Sequence, residues 1–302
     1  MALKDIKTKI KATERMNKVT RAMEAVSAVK MRKTQSAALA GRPYARAAVS
    51  ILSRLSATRH IAGHSLAEHR DVKKVALIII TSDKGLAGAL NSGVLKKAVE
   101  ALENRPKEEV VVYAYGRKGE EFFARRGYEI RKAFENKRDD VPLSVMEELS
   151  AEVTAGFVAK DFDRVIAVYS AFKSTFEQVP YWRRILPLSL GALSDIVDDI
   201  TPDKGKWSEQ APAAAPASYE VEPSEEEVLN ILVPRLTAIA LYHMLLEAKA
   251  SEHSARMVAM KNASDNSKEV VHDLNRVYNK VRQAAITREV SEIVGGREAL
   301  AS

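Results

Sequence analysis

The sequence predicts an α/β protein, with a central sheet domain between two long terminal helices that pair as an antiparallel coiled coil. Three observations carry this prediction. Helix breakers are missing from both ends of the 302-residue chain, short β-branched runs alternate with helical stretches in its middle, and apolar residues at both ends recur in steps of four and three.

The first helix is assigned to residues 1–59, which hold no glycine or proline before Gly41. Ala12, Met16, Val19, Met23 and Val26 step by four, three, four and three along it, the spacing of a coiled-coil seam. The last helix is assigned to residues 228–302, because nothing between Pro234 and Gly295 breaks a helix. At ~1.5 Å per residue that stretch is roughly 90 Å long, more than a compact domain is wide, so the ends are expected to project. Its apolar stripe begins with Ile231, Leu232, Leu236, Ile239 and Tyr242 and resumes with Val270, Leu274, Val277, Val281 and Ala284. Neither stripe can be buried by its own helix, and pairing the two is the simplest solution within one chain.

Between the helices, residues 72–190 read as a Rossmann-like, mainly parallel sheet domain. Val75–Thr81, Val110–Tyr115 and Arg164–Tyr169 are buried strands by composition, with further strands at Val179–Leu186 and Tyr128–Ala133. Helical stretches at Ala89–Leu102, Lys118–Arg126 and Ser144–Lys160 separate them, the alternation of a wound α/β sheet. Residues 195–227, with ten acids against Lys204 and Lys206 and the run APAAAPAS, read as an acidic Pro/Ala-rich surface insertion.

Charge is distributed unevenly. Residues 1–59 carry 14 lysines and arginines against Asp5, Glu14 and Glu24, a balance of +11 in a chain of net charge +7, and an acidic partner is expected for them. No cysteine is present, which excludes disulfides and thiol chemistry. The longest unbroken apolar run, Val75–Ile80, is far short of the ~20 residues that cross a bilayer, so no direct membrane span is expected. The N-terminus lacks the apolar stretch of a secretory signal, and a cytoplasmic chain is expected.

The chemical motifs are weak. Gly85, Gly88 and Gly93 follow the first strand but form neither dinucleotide-binding nor P-loop spacing, so Ser82 or Asp83 is expected to cap the next helix rather than to serve a phosphate. His60, His64 and His69 cluster with Glu68, and the i, i+4 spacing of the first two could place them on one helix face as metal ligands. Gly63 between them, the loop-like context and the absence of cysteine and of an H-E-x-x-H motif favour an exposed polar connection instead. His243, His253 and His272 are isolated, as surface or interface residues of the last helix. Asp139-Asp140 and Asp198-Asp199 are adjacent pairs that cannot share a face. No Ser–His–Asp grouping is specified. Catalysis, cofactors and metals are therefore not expected of the chain alone.

Four segments together resemble a known family: IKTKIKATERMNKVTRAMEAVSAVKMRKTQ, SDKGLAG, ARMVAMKNASDN and LNRVYNKVRQAAITREVSEIVGG, which includes ITREVSEIVG from Ile286 to Gly295. They resemble the γ subunits of F-type ATP synthases of bacterial type, in order and spacing over nearly the whole chain. The resemblance implies a non-catalytic central rotating stalk of a proton-translocating enzyme. Its terminal helices would form an antiparallel coiled coil inside a ring of three α and three β subunits, with the α/β domain on the ε subunit and the membrane c-ring. Rotation of the c-ring would bias the β-subunit sites toward ATP synthesis or hydrolysis. By match to the family's motifs, Met23, Glu252 and Arg256 fall in segments that govern coupling. Arg282, Gln283, Thr287 and Glu289 match positions that contact β-subunit loops, and Ile286, Val290, Ile293 and Val294 form an apolar tip turning in a sleeve. The place implied is the cytoplasmic face of a bacterial inner membrane, as a peripheral protein. Lys84, Ala87 and Gly296 depart from residues frequent in the family, and the cysteine-bearing insert of the chloroplast form is absent.

Two other readings remain open on the residues alone. One is an α/β nucleotide-binding enzyme using Ser82, Asp83 and Lys84 beside Gly85. The other is a basic coiled-coil binder of nucleic acid, which the lack of any aromatic residue in 1–43 disfavours, so no nucleic-acid partner is expected.

Overall fold

The computed structural model describes residues 3–55, 64–138, 142–188 and 224–301. In chain order the elements are α1 (Leu3–Leu55), β1 (Val75–Ile80), α2 (Leu90–Ala101), β2 (Val110–Tyr115), α3 (Arg117–Ala124), β3 (Glu129–Phe134), α4 (Leu143–Val158), β4 (Arg164–Phe172), β5 (Gln178–Leu186) and α5 (Glu225–Ala301). They fall into two compact units. The larger runs from Val29 to Ala255, and the smaller joins the chain up to Ala28 with the chain from Arg256 onward.

In the larger unit five strands form one sheet in the order β3-β2-β1-β4-β5. The first four are parallel and β5 returns antiparallel to β4. Every residue of β1 and β2 is buried, as parallel strands covered on both faces require, and this is why they read as unbroken apolar runs. Edge strand β3 instead alternates exposed and half-buried residues. Ala76, Ile78, Ile80, Val111, Tyr113, Val165 and Ala167 pack with Met146, Leu149, Val153 and Phe157 of α4 and with Leu241, Met244 and Leu245 of α5. The other face, Leu77, Ile79, Val112 and Val168, packs with Val94 and Ala98 of α2 and Phe123 of α3. The winding steps from β1 to β3 in one direction and jumps back to β4, which with crossovers of one hand puts α2 and α3 on the face opposite α4.

The strands and intervening helices lie within a few residues of the predicted ranges. The last helix begins at Glu225, three residues before its assigned range, and passes through Pro234 as that range requires. Proline in a helix interior forfeits one N–H bond and crowds the preceding turn. Burial of Leu236, Leu241, Met244 and Leu245 outweighs that cost, and the Pro234 carbonyl accepts a hydrogen bond from Ser150 Oγ at 3.2 Å. The first helix likewise continues through Gly41 and Pro43. Residues 195–223 of the expected insertion, together with His60, Asp139-Asp140 and Asp198-Asp199, lie outside the described residues.

In the smaller unit the segments of α1 and α5 pair with the predicted period but a shifted phase. Seam positions of α1 are Ile6, Ile10, Thr13, Asn17, Thr20, Glu24 and Ser27, all buried or half-buried. Those of α5 are Met260, Ser264, Ser267, Val271, Leu274, Tyr278 and Val281. In α1 the whole expected seam is one residue out of phase, a rotation of about 100° on a helix. Leu274 and Val281 were placed correctly in α5, whereas Val270 and Val277 are half-exposed. Small hydroxyl residues fit the seam because Thr13, Thr20 and Ser267 satisfy their own polarity on a carbonyl of their own helix. Thr20 Oγ1 donates to the Met16 and Asn17 carbonyls at 3.1 and 3.0 Å, and Ser267 Oγ donates to the Ala263 carbonyl at 2.6 Å. Between helices, Asn17 Nδ2 donates to the Ser264 carbonyl at 2.6 Å and Oγ at 3.1 Å. The segments run antiparallel, so beyond Val281 the described residues of α5 find almost nothing of α1, which begins at Leu3, and they are nearly all exposed.

Candidate functional site

In a wound α/β sheet the place for a ligand is the crevice where the winding reverses, here beyond the C-terminal ends of β1 and β4. The SDKGLAG segment lies at that edge and is committed to structure. Asp83 Oδ1 accepts from the Arg117 N–H at 2.8 Å and Oδ2 from the Asn136 N–H at 3.0 Å, so this carboxylate caps α3 and not the following helix, as expected from sequence. Helix α2 starts without a side-chain cap. Ser82 Oγ donates to the Lys84 carbonyl at 2.6 Å, and Asn91 Nδ2 donates to Ser82 Oγ at 2.8 Å. Thr81 Oγ1 accepts from the Gly119 N–H at 2.8 Å. Gly116, at φ 103°, lies so close that a Cβ there would meet the Thr81 carbonyl oxygen at 2.0 Å. Burial, and secondarily the Asp83 charge, pushes the Tyr115 phenol up to about 12.

Helix α5 closes the crevice. Ser251 Oγ donates to the Ser170 carbonyl at 3.0 Å, Ser254 Oγ to the Thr175 carbonyl at 2.6 Å, and Lys249 Nζ to the Arg138 carbonyl. What remains is a recess of about 10 Å³ bordered by residues such as Thr81, Ser82, Asn136, Ser170 and Glu252. That is room for roughly one water, not for a nucleotide. Ser82 and Asp83 therefore hold the loop, and the nucleotide-enzyme reading finds no site at this edge.

His64 and His69 are held in the loop by hydrogen bonds. His64 Nδ1 accepts from the Leu66 N–H at 3.2 Å while Nε2 lies 3.1 Å from Asn230 Oδ1, and His69 Nδ1 lies 3.1 Å from the Ala67 carbonyl. Of the three expected at surface or interface positions of the last helix, His243 and His253 are buried and His272 is exposed. Among the described residues no group of three His, Cys, Asp or Glu could hold a metal. One window of α5 is apolar and long enough by composition to cross a membrane, but 65% of it is buried, as in a core helix.

The conspicuous surface belongs to the smaller unit. Met16, Val19 and Val26 on α1, and Val270, Val277, Ile286, Val290, Ile293 and Val294 on α5, are 47% to 72% exposed. Large aliphatic side chains thus stand exposed while threonine, asparagine and serine share the seam with Ile6, Ile10, Met260 and Leu274, an apolar surface beyond what the pair itself buries.

A family model described as ATP synthase matches residues 2–300. Proteins named ATP synthase gamma chain align with nearly all of the sequence: 36% identity over 301 residues in Staphylococcus saprophyticus, covering 99% of both chains, and 40% over 302 residues in Roseiflexus castenholzii, covering 99% of this chain and 98% of that one. The chain belongs to the ATP synthase γ-chain family. Among solved structures it resembles a chain of the central stalk and c-ring of Tetrahymena thermophila mitochondrial ATP synthase, with a TM-score of 0.61 and 25% identity over 82% of this chain and 99% of that one. It shares its fold with a chain of the Euglena gracilis mitochondrial ATP synthase, at a TM-score of 0.65 and 17% identity over 99% of this chain and 94% of that one.

The positions matched to the family's motifs do not form one site. Met23 is half-buried on α1, beside the seam. Glu252 and Arg256 are one turn apart on α5 and both buried, Glu252 at the recess. Arg282, Gln283, Thr287 and Glu289 lie on the exposed end of α5, where Thr287 Oγ1 donates to the Gln283 carbonyl at 3.0 Å. Sequence reasoning missed Asn136, Ser170, Ser251 and Ser254, the groups that close the crevice. The run AKASEHSA, small and hydroxyl-rich inside an otherwise apolar helix, was the available signal.

Proposed function

We propose that this chain is the central rotating stalk of an F-type ATP synthase, non-catalytic by itself. The observation that carries the reading, beyond family membership, is the set of large aliphatic side chains left exposed on the helix pair, outside a seam that mixes apolar residues with small polar ones. Such a surface is costly in a free protein and is accounted for by a surrounding sleeve of partner subunits. In this reading the sleeve is three α and three β subunits, and the larger unit engages the ε subunit and the c-ring at the cytoplasmic face of a bacterial inner membrane. The basic helix α1 complements acidic loops of the β subunits.

The mechanism follows from population-shift arithmetic. A shaft changes a β-subunit site only by contacting its alternative conformations differently. Moving such a site from 1:99 to 99:1 requires a difference of about 5.5 kcal/mol. Two to four buried aliphatic side chains supply that amount, at about 1.5–3 kcal/mol each. Nine such side chains stand exposed in the smaller unit. Met23, Glu252 and Arg256 are the residues we assign to coupling. Arg282, Gln283, Thr287 and Glu289 are assigned to hydrogen bonds with β-subunit loops, and the tip from Ile286 to Val294 to a bearing, where contacts without fixed polar partners can slide.

The test is purification of a tagged chain from membranes of its host. Recovery with α, β and ε subunits and ATP hydrolysis in the eluate is the expected result. Recovery of a lone protein, its apolar stripes uncovered, would overturn the reading.

A further inference from the structure

The recess left where α5 closes the crevice contains two polar atoms with no hydrogen-bond partner among the described residues, Asn136 Oδ1 and Ser170 Oγ. Both residues are more than nine-tenths buried, at 8% and 2% exposed. The amide of Asn136 cannot turn over to relieve its oxygen, because its Nδ2 donates to the Thr81 carbonyl at 2.7 Å and its backbone N–H is held by Asp83. Ser170 is fixed in β4, where its carbonyl already accepts from Ser251 Oγ. A third polar side chain, Glu252 of α5, lines the same space.

We propose that the recess is a binding site for one internal water, which donates to Asn136 Oδ1 and bonds Ser170 Oγ, with the Glu252 carboxylate at hand as a third partner. The volume of about 10 Å³ matches a single water, and three polar groups match the usual coordination of a buried one. A metal ion fits poorly: Ca²⁺ takes about six to eight oxygens and Mg²⁺ about six in octahedral array, whereas Ile80, Leu90, Val94 and Ala248 offer none from their side chains. The Thr81 and Ser82 hydroxyls, which also border the space, are already hydrogen-bonded within the protein. The water joins the end of the sheet, the segment after β3 and helix α5. It thereby fixes Glu252 by a bridge that sequence alone does not reveal, whether or not the rotor reading holds.

Two measurements on the full chain test this. A crystal structure with ordered solvent resolved is expected to show one peak about 2.6–3.2 Å from Asn136 Oδ1 and Ser170 Oγ. An empty recess overturns the proposal, and so does a peak with five or more ligands at about 2.0–2.6 Å that scatters anomalously after rubidium or manganese soaking. The second measurement is the melting temperature of Ser170→Ala, a change small enough to leave the fold intact. Removing a hydroxyl that bonds a water is expected to lower Tm by about 2–4 °C. Removing an orphan hydroxyl relieves a penalty, so an unchanged or raised Tm would contradict the water.

Discussion

The central strands of the larger unit keep their aliphatic side chains inside, with β1 from Val75 to Ile80 at most 2% exposed, whereas the helix pair admits threonine, asparagine and serine to its seam beside Ile6, Ile10 and Leu274 and leaves Val19 55% and Ile293 72% exposed. The difference separates two physical tasks. A sheet buried on both faces holds one shape by close packing. A helix pair whose seam mixes apolar residues with small polar ones gains less from its own interior than the sheet does, and its exposed apolar surface stays available to partners.

Breaking the sheet unit should have the largest effect. Phe157 is fully buried, with the Arg70 guanidinium 4.2 Å from its ring centre, and Phe157→Ala is expected to cost about 3–5 kcal/mol, read as a lowered urea midpoint. Alkaline pH acts on the same unit. The Tyr115 phenol is raised to about 12 by burial, and the Lys132 ammonium is raised to about 12 by hydrogen bonds to Glu148 and then Glu152. Both groups are more easily deprotonated in the unfolded chain, at about 10 and about 10.4, so their contribution is complete below pH 10 and lost as pH rises toward 12. A series of melting temperatures across that window should fall, by an amount of at most about 2 kcal/mol from Tyr115. In the helix pair, Asn17→Ala removes two hydrogen bonds to Ser264 and is expected to cost only about 1 kcal/mol. Smallest of all, Val19→Gln on the outward stripe should change the stability of the free chain by less than about 0.5 kcal/mol while weakening recovery of α and β subunits in the purification. A larger loss of stability would mean that Val19 is buried within the chain itself.

How legible these two regions were differs as well. Strand β2 coincides with its predicted range because a β-branched run closed by glycine on one side and a turn on the other has few alternatives. The heptad period of the terminal helices was equally plain. Its phase was not, because Met16, Val19 and Val26 look like core to any hydrophobicity rule, and only a seam satisfied by Thr20, Asn17 and Ser27 shows why they point away. The closed crevice was illegible for a different reason. Ser251 and Ser170 are 81 residues apart, and no local pattern says that the last helix folds back onto the switch point of the sheet. The burial of His243 and His253 was hidden by the same fold-back. The positions we assign to coupling and β-subunit contact, from Met23 to Glu289, come only from resemblance, since each alone is an ordinary helix residue.

The most direct measurement is rotation itself. The chain has no cysteine, so Ser92→Cys on exposed α2 gives one attachment point for a bead, with the complex of this chain and its α and β subunits fixed to a surface. The account predicts that added ATP turns the bead continuously in one direction. A complex that hydrolyses ATP while the bead stays fixed would contradict it.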